Sequence, residues 1–254
     1  MRDRCRGWAW GLAVLAAGVC AAARAENYRI DTAVRVAGEK TAFETLTLFR
    51  DGVIYDLQRK GAEITIFDPV HEHIILLDTD RSVRTDLTLT DLREAFEKWQ
   101  EEMLRKADGK HPLFDPTLTQ TWEEQGKTFR LEQPGVLKYR VTGAPAPTPA
   151  LAKQYRVYAD TMSRLSILHP ESFPPLARLE VNRVLEEASL LPRSVERTLP
   201  PRRALDKPQV VTATHDVLWQ LSATDLKRID EIGRHLATYK TVAIQEYYSL
   251  RAAK

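Results

Sequence analysis

Residues 42–58, AFETLTLFRDGVIYDLQ, decide the fold. Two short runs with strand character, Ala42–Arg50 and Val53–Gln58, flank the dipeptide Asp51-Gly52. A two-residue hairpin turn of this kind needs positive φ at both central positions, which Asp-Gly supplies at low steric cost. The stretch therefore predicts an antiparallel hairpin. The pattern continues on both sides of it. Upstream, Tyr28, Ile30, Thr32, Val34 and Val36 alternate with Arg29, Asp31, Ala33 and Arg35, a period of two with one apolar face, before a turn at Gly38-Glu39-Lys40. Downstream, Lys60-Gly61 turns into Glu63–Phe67, Asp68-Pro69 closes that run, and His73–Asp78 opens the next. Ile74-Ile75-Leu76-Leu77 is apolar on both faces, as in a central strand covered on two sides. After a turn at Asp78–Asp80 come Val83, Thr85 and Leu87. Six short strands with close turns predict an antiparallel meander in place of βαβ units.

A helix follows, capped by Thr88 or Thr90, with Leu92, Phe96, Trp99 and Met103 at helical spacing and an end near Asp108-Gly109. Leu118–Glu123, Lys127–Glu132 and Val136–Thr142 read as three more strands. The connector Gly143–Pro149 leads into a helix whose Leu151, Tyr155, Tyr158, Met162 and Leu165 form one apolar stripe. His169-Pro170 stops it, and a second helix is expected from Pro174 to about Glu187. Strands return at Ser194–Leu199 and Gln209–Gln220. Ser222 and Asp225 have capping-box spacing ahead of a helix carrying Leu226, Ile229, Ile232 and Leu236. The tail, Val242–Tyr248, fits strand and helix equally.

The N-terminus has the three parts of a secretory leader. Arg2, Arg4 and Arg6 are basic, Gly7–Ala23 is almost unbroken in its apolar character, and Ala23-Arg24-Ala25 matches a signal-peptidase site. The apolar run is at the short end for a bilayer span of about 20 residues. An uncleaved anchor and a lipid-modified Cys20 are the alternatives, the second disfavoured by Val19 where a small residue is preferred. Losing residues 1–25 removes four arginines and Asp3, which takes the formal charge from +2 to −1. The basic balance thus belongs to the leader and gives no support for nucleic-acid binding. Both cysteines, Cys5 and Cys20, lie in the leader, so the remaining chain has no thiol for a disulfide, a metal or a nucleophile.

Taken together, a leader, a strand meander, helices set between strands and a late leucine-proline strand resemble the LolA/LolB-like group of bacterial periplasmic lipoprotein carriers. The similar pieces are Glu63-Ile-Thr-Ile-Phe-Asp-Pro69 with Leu76-Leu-Asp78, and Leu190-Leu-Pro-Arg-Ser-Val-Glu196. The resemblance implies a curved antiparallel sheet around an apolar cavity for acyl chains, lidded by helices. It assigns no ligand-contact residue.

Chemistry-bearing patterns are sparse. His71 and His73 stand two apart, so on a strand both imidazoles would face one way and could share a metal ion, with Asp68, Asp78 or His111 completing the set; a solvated polar turn is the simpler alternative. Asp78-Thr79-Asp80 lacks the ligand ladder of a calcium loop. His215 falls on the apolar face of its strand near Trp219, as a core histidine or a general base. Glu101-Glu102 and Glu186-Glu187 are adjacent and do not share a helix face. There is no G-x-S-x-G, P-loop, G-x-G-x-x-G or H-E-x-x-H pattern. Phe96, Trp99, Tyr155, Tyr158 and Trp219 are candidates to line a ligand cavity, or else are core.

The expected fold is α+β: a strongly curved, half-barrel-like antiparallel sheet of about nine strands with helices packed on one face. Residues 26–254 are expected as a single domain after the leader, 1–25, with a helical insertion over about 149–187. The expected function is an exported, periplasmic or secreted, non-enzymatic protein that binds a lipid or other apolar ligand. It needs no cofactor, binds no nucleic acid and keeps no transmembrane segment once the leader is cut. A structural or interaction protein of the cell envelope and a His-dependent metal hydrolase are the alternatives.

Overall fold

In a computed structural model, residues 27–107, 109, 111–123, 126–169, 172–201, 203 and 206–252 are described. The stretch expected as a leader, residues 1–25, and both cysteines lie outside them. The meander is present as β1 (Tyr28–Val36), β2 (Phe43–Arg50), β3 (Val53–Gln58), β4 (Glu63–Asp68), β5 (His73–Asp78) and β6 (Val83–Thr88). The founding hairpin forms as its sequence predicts. Asp51 and Gly52 take φ of 51° and 89°, and Arg50 faces Val53 across the turn.

Helix α1 (Leu89–Lys106) starts at Thr88, which forms a reciprocal capping box with Asp91. Strands β7 (Thr119–Glu123), β8 (Thr128–Gln133) and β9 (Leu137–Pro145) make a second meander. Helix α2 (Pro149–Leu165), a short 3-10 turn over Ser166–Leu168, and helix α3 (Leu176–Glu187) then intervene before β10 (Leu190–Leu199). Because β10 pairs directly with β9, the helix pair is an excursion from one hairpin. Strand β10 begins earlier than the sequence predicts. A register shift between Pro192 and Ser194 lets the ladder pass the proline, which has no N–H to give.

Strand β11 (Gln209–Leu218) pairs with both β10 and β1 and so joins the two meanders. Helix α4 (Ala223–Thr238), a two-residue strand β12 (Lys240–Thr241) parallel to β6, and helix α5 (Ile244–Ala252) complete the chain. The ambiguous tail is thus mostly helix. The sheet runs β12-β6-β5-β4-β3-β2-β1-β11-β10-β9-β8-β7, mostly antiparallel and not closed. Twelve strands exceed the nine or so expected, because every short run with strand character, edge runs included, joins the same sheet.

Placing helices on one face alone needs correction. One face, bearing Tyr28, Phe49, Phe67, Ile74 and Leu76, packs against residues of α1, α2, α3 and α5 such as Leu92, Tyr155, Val181 and Tyr247. The other face is covered by α4, whose Ile229 meets Leu46 and Leu48 and whose Ile232 meets Ile64, Ile66 and Leu77. The cause is visible in β2, β4 and β5. Successive residues such as Ile74 to Leu77 are apolar, so both sides of these strands need cover. Among the described residues, no helix is long and apolar enough to cross a membrane.

Candidate functional site

A cleft of about 390 Å³ lies between the sheet and the α2–α3 pair. Five adjacent strands contribute to its floor: β2 through Thr45 and Thr47, β1 through Ile30 and Thr32, β11 through Val211, Ala213 and His215, β10 through Val195 and Arg197, and β9 through Tyr139. The helices and their connection form the roof, with Tyr155, Tyr158, Met162, Phe173 and Arg178. The period-two rule explains the floor. Residues two apart on each strand share a face, so Val211, Ala213 and His215 arrive together, as do Val195 and Arg197.

Polar groups in and behind the cleft are held by one another. Thr47 Oγ1 donates to Asp56 Oδ1 at 2.6 Å, and the Tyr158 hydroxyl donates to the same oxygen at 2.9 Å. Burial pushes the Asp56 carboxyl up, and the two hydroxyls only partly offset this. Burial, with the Asp56 charge behind it, holds the Tyr158 phenol well above its usual value, so it stays a neutral donor. Arg178 Nη2 donates to the Tyr155 hydroxyl at 3.2 Å. Burial raises the pKa of the Tyr139 phenol, while Arg197 hydrogen-bonds it and the Arg178 charge also acts on it. The Arg197 guanidinium lies 3.9 Å over the centre of the Phe173 ring.

His215 meets Thr32 Oγ1 through Nδ1 at 3.0 Å, while its buried Nε2 has no hydrogen-bond partner. Burial, reinforced by Arg178, pushes its pKa down to about 3. The imidazole is therefore neutral at physiological pH. Between about 6.5 and about 3 the unfolded chain takes up a proton that the folded chain refuses, so acidification destabilises the fold over that window. The His215 ring protons, followed by NMR, are expected to keep constant chemical shifts from pH 8 to pH 5. A titration midpoint near 6.5 would show the ring to be solvated instead.

Of the five candidate cavity aromatics, two reach this cleft: Tyr155 and Tyr158. Phe96 and Trp99 lie on α1, where Trp99 meets Phe114 edge-on at 5.6 Å and Arg164 covers Phe96. Trp219 lies just past β11, 46% exposed, tilted against Tyr28. The two histidines of the candidate metal pair go to different carboxylates. His71 Nδ1 contacts Asp68 at 2.6 Å, and His73 Nε2 approaches Asp86 at 3.5 Å. Glu72 between them has φ of 52°, so the extended backbone that would align them does not reach back to His71. Among the described residues, no group of three or more His, Cys, Asp or Glu side chains could hold a metal ion.

Arg178 and Arg197, which line the cleft, and Asp56, which holds Thr47 and Tyr158 from behind it, were not anticipated as site residues. A signal for them exists in the strand and helix periods. Arg197 is in phase with buried Val195, and Asp56 with buried Ile54, so each places a charge on an otherwise apolar face. Arg178 follows buried Ala177 on the first turn of α3. Compared with known proteins, the chain matches no family model and no curated protein sequence.

Proposed function

We propose that this is an exported, non-enzymatic binding protein that takes one acyl chain, or an apolar ligand of similar size, between its sheet and the α2–α3 pair. The cleft carries this reading. Its volume, about 390 Å³, falls within the range of small-molecule sites, and a single chain suits it better than a multiply acylated lipid. Apolar side chains such as Ile30, Met162, Phe173, Val195 and Val211 alternate there with a few fixed polar groups, the composition usual for such sites. A strongly curved, half-barrel-like sheet is part of the proposal. Strands β2 and β9 are four spacings apart, about 19 Å on a flat sheet, yet both border one small cleft roofed by the same helices. The carrier resemblance in the order of elements agrees with this reading, as do the leader features of residues 1–25 for export to the periplasm or medium.

The chain, expressed with its leader and purified, is expected to carry acyl-chain lipids that mass spectrometry detects after extraction. Stripped of them, it is expected to gain several degrees in melting temperature on adding saturating C10–C16 amphiphiles, as ligand linkage requires. An unchanged melting temperature across the panel, with no lipid in the extract, overturns the proposal and favours the structural role in the envelope.

A further inference from the structure

Arginines on packed helices commonly find carboxylates, and three on α2 and α3 show the pattern. Arg156 pairs with Asp160 and Glu186, Arg164 with Asp160, and Arg183 with Glu180 and Glu187. The two arginines that line the cleft depart from it. Among the described residues, neither Arg178 nor Arg197 has a carboxylate within the 4.0 Å of an ion pair. Their neighbours are neutral instead: Tyr155 for Arg178, and Tyr139 and the face of Phe173 for Arg197. Arg197 Nε is buried without any hydrogen-bond partner, and so is His215 Nε2 in the same cleft. Unsatisfied polar atoms and uncompensated charge of this kind are costly in a fold that gains nothing from them.

From this we infer that the cleft contains a receptor for an oxyanion, so that its ligand is a single-chain amphiphile with a carboxylate or phosphate head. The inference rests on the reading of the cleft as an acyl-chain site and adds the chemistry of the head. Both guanidiniums line the same small cleft as Tyr139, and the charge of each acts on the Tyr139 phenol. Planar guanidinium forks match carboxylate and phosphate oxygens with paired, charge-assisted hydrogen bonds. The Tyr139 and Tyr155 hydroxyls are neutral and can add a donor to the same head, because burial keeps both phenols protonated. Ile30, Met162, Val195 and Val211 border the rest of the cleft and leave an apolar path for the tail. Cation and tail sites in one cleft fit an anionic amphiphile better than a neutral one.

The test uses stripped full-length protein and calorimetric titration with dodecanoate, dodecyl phosphate and dodecanol, chains of equal length and different heads. At least one of the two anions is expected to bind about tenfold or more tightly than dodecanol, the increment of one or more charge-assisted hydrogen bonds. Which anion leads identifies the head. Arg178→Gln and Arg197→Gln are each expected to bring the anion-to-alcohol ratio toward one. Arg197→Lys, which keeps the charge and loses the fork, should leave an intermediate ratio and serves if the glutamine variant does not fold. Equal affinity for anions and dodecanol in the parent protein overturns the oxyanion receptor while leaving the acyl-chain reading intact. A ratio unmoved by either arginine substitution overturns it too. Failure of all three ligands to bind overturns the acyl-chain reading itself.

Discussion

Phe49→Ala is expected to lower the free energy of unfolding by about 3–5 kcal/mol, the range for removing a buried aromatic ring. Phe49 has no exposed surface and stands in the middle of the larger core. Its ring stacks on Tyr28 with centres 4.1 Å apart and planes 8° from parallel, and it takes the edge of Tyr158 at 5.5 Å. Stacked and edge-on pairs add about 0.5–1.5 kcal/mol to what area burial alone supplies. The substitution thus loses transfer energy and two ring contacts, and leaves a hollow between β1, β2 and α2. For a chain of this size the melting temperature should fall by about 6–20 °C. Phe49→Leu, which refills most of the volume, should cost much less. Urea unfolding followed by circular dichroism measures both. A loss below 1 kcal/mol for the alanine variant would mean that β2 and α2 are not packed as described. The same change should loosen the cleft, because Tyr158 leans on Phe49 while it donates to Asp56.

Asp225→Ala should have the next largest effect, about 2–4 kcal/mol. The Asp225 side chain is wholly buried at the start of α4, on the sheet face opposite the cleft. Its Oδ2 accepts from the Ser222 backbone N–H and hydroxyl at 2.9 and 2.7 Å, while the Asp225 N–H donates back to Ser222 Oγ at 3.1 Å. Arg29 of β1 donates to both carboxylate oxygens at 3.1 and 3.3 Å, which ties the helix start to the centre of the sheet. Removing the carboxylate opens the capping box and strands part of the Arg29 charge. Arg29 keeps 23% of its side chain exposed and also pairs with Asp31, so the loss falls short of that for a fully buried pair. Asp225→Asn retains an acceptor for the cap and should lose less.

The pH dependence of that second effect follows from the same contacts. Burial alone would raise the Asp225 carboxyl. The hydrogen bonds from Ser222 and the Arg29 guanidinium outweigh it and hold the group below its usual range. A carboxylate depressed in the folded state contributes its stability above its ordinary value and loses it as pH falls through the lowered one. The gap between parent and Asp225→Ala, measured in urea at several pH values, should therefore be full at pH 7 and shrink below about pH 4. A gap that stays constant down to pH 2.5 would rule out the charged pair as its source.

The ladder was legible because its signals are local. Asp51-Gly52 fixes a hairpin whatever surrounds it, and Ser222 with Asp225 caps α4 within four residues. The second helical layer was legible only in part. Ile74–Leu77 announces cover on both faces, yet nothing in the run says that the cover is Ile229 and Ile232, about 150 residues later. The candidate site suffered from the same distance. Tyr155 and Tyr158 reach the cleft with the α2 stripe, whereas on α1 Trp99 packs against Phe114 and Phe96 lies between Trp99 and Arg164. Periodicity tells which way a side chain faces and not what it meets there. Arg178 and Arg197 define the character of the cleft only because no carboxylate among the described residues pairs with them, and that depends on the whole arrangement.

The position of β1 has a consequence for when this polypeptide can acquire its native form. The earliest strand in the chain is inserted between β2 and β11, with Arg29 opposite Leu218. Half of its hydrogen-bonding edge must wait until nearly all of the sequence is present, and closing so wide a loop is entropically slow. A nascent chain can assemble the leading meander, but its first strand stays unpaired on one side and open to sticky encounters. The incomplete polypeptide is thus still loosely knit, and maturation awaits release of the carboxyl-terminal quarter.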